Sequence, residues 1–72
     1  MNSAELKRIR KDMGLTQTQF ARLLGYTHFS RISYFETGKD PIPKTTERLA
    51  RMFQMNGVPD EWMAEVFNDQ KG

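Results

Sequence analysis

Apolar residues recur at helical spacing along this chain in five separate stripes, each cut off by glycine or proline. Leu6, Ile9 and Met13 form the first and predict a helix over residues 3–13. Asn2 precedes it, Glu5 sits three residues later as the capping-box partner, and Gly14 stops it. Phe20, Leu23 and Leu24 predict a second helix over residues 17–24. Thr16 and Gln19 are its capping box, Leu15 and Phe20 its hydrophobic staple, and small Ala21 lets a neighbouring helix approach. Phe29, Ile32 and Phe35, each three apart, predict a third helix over residues 28–37, with Thr27 as its cap and Gly38 as its end. Pro41 and Pro43 forbid helix through the connector that follows, and Ile42 between them is expected to tuck into the core. Thr46, Leu49, Met52 and Phe53 predict a fourth helix from 43 or 44 to 55, which Asn56-Gly57 ends. A last stripe of Trp62, Met63, Val66 and Phe67 predicts a fifth, capped by Asp60 and running from 61 to about 68, before a tail that frays. The expected class is all-α, a compact bundle of five short helices in one domain over 1–72.

The second and third helices, joined by a tight turn at Gly25, have the layout of a helix-turn-helix. In that arrangement one helix crosses the DNA backbone while the next enters the major groove. Leu15-Thr16-Gln17, Phe20-Ala21, Leu23-Leu24-Gly25, Ile32-Ser33 and Phe35-Glu36-Thr37-Gly38-Lys39 resemble the Cro and phage-repressor class of helix-turn-helix regulators, the XRE family. The resemblance covers roughly residues 5–53 and implies a lambda-repressor-like fold. The segment from Gly25 to Ile32 is one residue longer than the usual family spacing, with the extra residue somewhere in 26–30. The resemblance further implies that Arg10 pairs with Glu36, that Gln17 contacts DNA backbone and that Lys39 does the same. It implies a stand-alone repressor of phage, mobile-element, antitoxin-operon or anti-CRISPR-operon type.

Composition narrows the chemistry. A chain of 72 residues is marginal on its own core. It has no cysteine, which excludes disulfides and thiolate metal sites, and one histidine, which makes a structural metal improbable. Oligomerisation is then the remaining device for added stability, with helix packing alone as the simpler account. The net charge of +2 is divided unevenly. Residues 1–39 carry seven Lys/Arg and three Asp/Glu, or +4, whereas residues 40–72 carry four and six, or −2. The basic half contains the two-helix unit, as a phosphate-binding surface requires. No apolar run reaches membrane-spanning length and no signal-peptide pattern opens the chain, so a cytoplasmic location is expected.

No enzymatic constellation is present: no glycine-rich phosphate loop, no plausible carboxylate pair, no nucleophile beside a base. Glu61 and Glu65 read as a solvated, mildly repelling pair. No cofactor, metal or small-molecule ligand is expected, and the expected partner is double-stranded DNA bearing a palindromic operator. Phosphate contacts set affinity and register, and base-edge contacts set sequence choice. Thr16, Gln17, Thr27 and Lys39 are the phosphate candidates. Arg31, Ser30, Tyr34, His28 and Ser33 are the base-edge candidates, with Arg31 able to reach guanine bidentately or to touch phosphate instead. His28 reads as a polar helix start rather than a pH switch. Phe29 is either a core staple or an exposed aromatic against a thymine methyl. The four cations of the first helix, Lys7, Arg8, Arg10 and Lys11, read either as a solvated face or as a set from which one or two touch phosphate. The stripe of Trp62, Met63, Val66 and Phe67 either closes the core or, with Met55 and Val58, forms a two-fold interface. Two functions follow from these alternatives. One is an autoregulatory homodimeric repressor controlled by its own concentration. The other is a protein-interaction module or antirepressor whose helix-turn-helix no longer reads DNA. Gln17, Arg31 and Lys39 favour the first, because each sits at a position expected to be useful only if DNA is present.

Overall fold

A computed structural model describes residues 1–67 and holds five helices there, with no strand. They are α1 (Ser3–Asp12), α2 (Gln17–Leu23), α3 (Phe29–Thr37), α4 (Lys44–Asn56) and α5 (Asp60–Val66). The expected end of the fifth helix at Asn68 and the frayed tail lie outside the described residues.

Both predicted capping boxes form. The Asn2 side chain accepts from the Glu5 N–H at 2.8 Å, and the Glu5 carboxylate accepts from the Asn2 N–H at 3.1 Å. Thr16 and Gln19 repeat the exchange at 3.1 and 2.9 Å. Each box satisfies a donor that the first helical turn leaves without an intrahelical partner. Gly25 and Gly38 close the next two helices at φ +86° and +80°, in the left-handed region that costs other residues a Cβ clash.

Two helix starts differ from the sequence expectation. His28, not Thr27, precedes α3, and it gives no side-chain cap; the helix proper begins at Phe29. Asp60 lies inside α5 rather than before it, because Pro59 takes the extended cap conformation at φ −56° and ψ 142°. Asp60 and Glu61 then occupy the first turn, where negative charge meets the positive end of the helix dipole.

The core is one cluster of Leu6, Ile9, Leu15, Phe20, Ala21, Leu23, Ile32, Phe35, Ala50, Phe53 and Val66, all nearly or fully buried. α2 packs on α3 and α5, while α1 packs on α3 and α4. On α4 the buried seam is Thr46, Ala50 and Phe53, so the seam runs through Ala50 and turns Met52 to solvent. Leu49 and Ile42 are partly buried against the cluster. Phe53 receives the Trp62 indole edge-on, with ring centroids 5.7 Å apart. α1 and α4 are also tied through charge. Arg51 stands 3.5 Å from Glu5 and 3.4 Å from Glu47, and the N-terminal ammonium stands 3.3 Å from Glu47.

Candidate nucleic-acid interface

α3 is positioned from its buried side. Ile32 and Phe35 are fully buried, and Glu36 beside them carries a carboxylate shielded almost completely from solvent. Arg10 of α1 grips that carboxylate with two donors, Nε at 2.7 Å and Nη2 at 3.2 Å. Its third donor, Nη1, reaches the Leu15 carbonyl at 2.9 Å. The Gln17 amide of α2 donates to the same carboxylate at 3.1 Å. One carboxylate therefore fixes α3 to α1 and α2 together. A planar guanidinium against a carboxylate also fixes orientation, because the paired bonds hold two directions at once.

Opposite this clamp lies the outward face. At about 100° per residue, Ser30, Ser33, Tyr34 and Thr37 fall within one arc of about 100° across from the buried side, and Phe29, seven residues before Glu36, borders that arc at the N-terminal end of the helix. Phe29 is 49% exposed, so it is no core staple. The His28 ring tilts against it, with centroids 6.3 Å apart. Tyr34 is exposed and Ser30 and Ser33 are half-buried. The Thr37 hydroxyl donates back to the Tyr34 carbonyl at 3.3 Å. Lys39 stands past the end of α3 with its ammonium 4.8 Å from the Tyr34 ring centre.

Arg31 lies at the edge of this face rather than at its centre. Its guanidinium carbon sits 5.4 Å from the Phe35 ring centre and 5.7 Å from that of Tyr26, and one of its nitrogens is 3.8 Å from the Asp40 carboxylate. The Tyr26 ring that backs it is edge-on to Phe35, and its hydroxyl bonds Thr46. Neither Tyr26 nor Asp40 was singled out in sequence as part of a site, and no spacing rule links Asp40 to Arg31 nine residues earlier. Each resting contact of Arg31 is modest. Cation–π contacts at exposed sites contribute about 0.5–1 kcal/mol and exposed ion pairs about 0–1. A bidentate guanine contact, by comparison, carries ~1–3 kcal/mol of discrimination against the wrong base.

The remaining candidates fall as follows. Thr16 is exposed, and its hydroxyl accepts from Gln19 while keeping its proton for an outside acceptor. Thr27 is exposed in the turn between α2 and α3. On α5, Val66 is fully buried and offers no surface to a partner, because only one seam of the stripe meets the core. Trp62 and Phe67 are 40% and 50% exposed, and Met63 is partly buried. Met55 at 79% and Met52 at 43% extend the exposed apolar surface on α4. Among the described residues no cluster of three or more His, Asp or Glu could hold a metal ion, and no helix is long and apolar enough to cross a membrane.

Comparison with curated proteins and with solved structures returned no match. The sequence profile of the helix-turn-helix domain matches residues 3–66, from the first residue of α1 to the last of α5. With an all-helical bundle, a two-helix unit turned at Gly25 and a second helix clamped behind and open in front, the chain belongs to the helix-turn-helix domain family.

Proposed function

We propose that this chain is a sequence-specific DNA-binding transcriptional repressor that acts as a homodimer on a palindromic operator. The outward face of α3 carries this reading. It is held at a fixed angle by the Glu36 clamp and flanked by Lys39 and Arg31. In this reading α3 enters the major groove and presents Ser30, Ser33, Tyr34, His28 and Arg31 to base edges. Thr16, Thr27 and Lys39 contact phosphate, and Gln17 does so through its backbone while its amide stays on Glu36.

Two modules are needed because one buries little surface on DNA. A pair spaced by about 34 Å, one helical turn, reads two half-sites together. The exposed Trp62, Met63 and Phe67, with Met55, supply the apolar surface for that pairing. Phe67→Ala tests it. The sedimentation mass should fall to that of a monomer while the helical spectrum is retained. A loss of helical signal instead assigns Phe67 to the core.

A second reading, a protein-interaction module that leaves DNA alone, draws on one observation. Gln17, Arg31 and Lys39 each have an intramolecular contact, on Glu36, on Tyr26, Phe35 and Asp40, and on Tyr34 respectively. Their positions therefore do not require DNA. Mobility shift on DNA upstream of the chain's own gene, with excess nonspecific competitor at two salt concentrations, separates the two readings. A discrete complex that survives competitor, weakens with salt and leaves a two-fold footprint is expected. Competitor-sensitive smearing, repeated on a random-sequence pool, overturns the repressor reading.

A further inference from the structure

We infer that α3 selects its operator chiefly through thymine C5-methyl groups in the major groove, with Phe29 as the reading residue. This deepens the DNA-binding reading above and rests on it. The argument begins with the chemistry of the outward face. Ser30, Ser33, Tyr34 and Thr37 occupy it, with Phe29 at its N-terminal border, and none is an amide, guanidinium or ammonium. Bidentate recognition of guanine or adenine needs one of those groups. A serine or tyrosine hydroxyl both donates and accepts, so a single hydroxyl discriminates poorly among base edges. The Thr37 proton already serves the Tyr34 carbonyl.

Arg31, at the edge of the face, rests over Phe35 and Tyr26 and beside Asp40, and reaching a guanine requires it to leave those contacts. Phe29 is the one side chain of these five without a polar group. It stands at the first helical position, half exposed, with the His28 ring tilted beside it rather than drawn into the core. The first turn of a recognition helix is the part that reaches base edges. There the major groove offers one apolar group, the thymine methyl. Lys39, past the end of the same helix, supplies positive charge toward phosphate, so the surroundings of the aromatic suit a duplex.

The test removes the methyl and nothing else. Sites selected from a random duplex pool by the full chain are resynthesised with uracil replacing thymine, one position per half-site at a time. Uracil keeps every hydrogen-bonding group of thymine. The wild-type chain should bind at least one uracil duplex about fourfold more weakly per half-site, the effect of one buried methyl. Phe29→Ala should bind the thymine and uracil forms of that position equally, whereas Phe29→Leu should retain part of the difference. Circular dichroism should show both variants folded, since the side chain lies outside the core. If a variant does not fold, the wild-type uracil penalty still decides. Equal binding of all thymine and uracil forms overturns the inference while leaving DNA reading intact. So does a selected guanine whose preference disappears in Arg31→Ala. A pool with no enriched sequence overturns the DNA-reading function and this inference with it.

Discussion

Single residues carry two kinds of commitment in this chain, to backbone shape and to buried charge. Gly38 ends α3 at φ +80°, and a Cβ built there would meet the Ser3 hydroxyl at 3.5 Å, an ordinary contact. Replacing it costs backbone conformation rather than space. Gly38→Ala should destabilise the fold by about 1–2 kcal/mol in urea titration, and Gly38→Asn by less, since asparagine tolerates the left-handed region better. Arg10 is the opposite case. Its guanidinium satisfies Glu36 and the Leu15 carbonyl together, so Arg10→Met strands a shielded carboxylate. Breaking a buried pair on one side costs about 3–5 kcal/mol, a large share of the stability of a domain of this size, although the Gln17 amide stays on Glu36. Combining Arg10→Met with Glu36→Gln should recover part of that stability in the same titration. Recovery stays incomplete because the Leu15 carbonyl still lacks its donor. Residue identity made several of these features legible in the sequence. Gly25 and Gly38 announced their turns, and the Arg10–Glu36 pair followed from the family resemblance. The resting place of Arg31 did not, because it depends on Tyr26 and Asp40 arriving from other parts of the chain.

Among the elements, α1 and α4 are joined at their solvent edge by Glu5, Arg51, Glu47 and the N-terminal ammonium. The backbone N–H of Asn2, with help from Arg51, holds the Glu5 carboxyl below its ordinary range. The ammonium of Met1 does the same for Glu47, again with Arg51 assisting. Both groups bind protons less readily when folded than when unfolded. Their stabilisation is therefore complete above the ordinary carboxylate pKa of about 4.5 and is lost as pH falls through the lowered folded values. The melting temperature should stay level from neutral pH down to about 5 and drop below about 4.5. Glu5→Gln and Glu47→Gln should each flatten that drop. Helix positions were legible because each depends on local signals, two capping boxes, the closing glycines and an apolar stripe. Rotation about the helix axis was less so. The fourth helix turns Ala50 inward and Met52 outward, and the fifth turns Val66 inward and leaves Trp62 and Phe67 partly outside. A stripe wider than the seam it meets does not say which of its edges is used.

For the whole molecule, the division of charge into a basic 1–39 and an acidic 40–72 sets how it should approach DNA. Attraction comes through the half that holds α2 and α3, and the logarithm of the affinity should fall linearly with the logarithm of salt concentration. Lys39→Ala removes one phosphate contact per protomer in the proposed complex. It should lower the magnitude of that slope by about 1 per protomer and weaken selected and unselected sequences alike.

The clamp on Glu36 has a consequence for descent with modification. The side chains that hold α3 in place, Ile32, Phe35 and Glu36, share no position with those that face outward, Phe29, Ser30, Ser33 and Tyr34. Substitutions on the outward set leave the clamp and the core untouched. In the proposed repressor, operator preference can therefore drift, or be rewritten by exchanging four side chains, without passing through an unfolded intermediate sequence. A fold with so little stability to spare can still explore new targets, because its vocabulary and its scaffold occupy different positions of one helix.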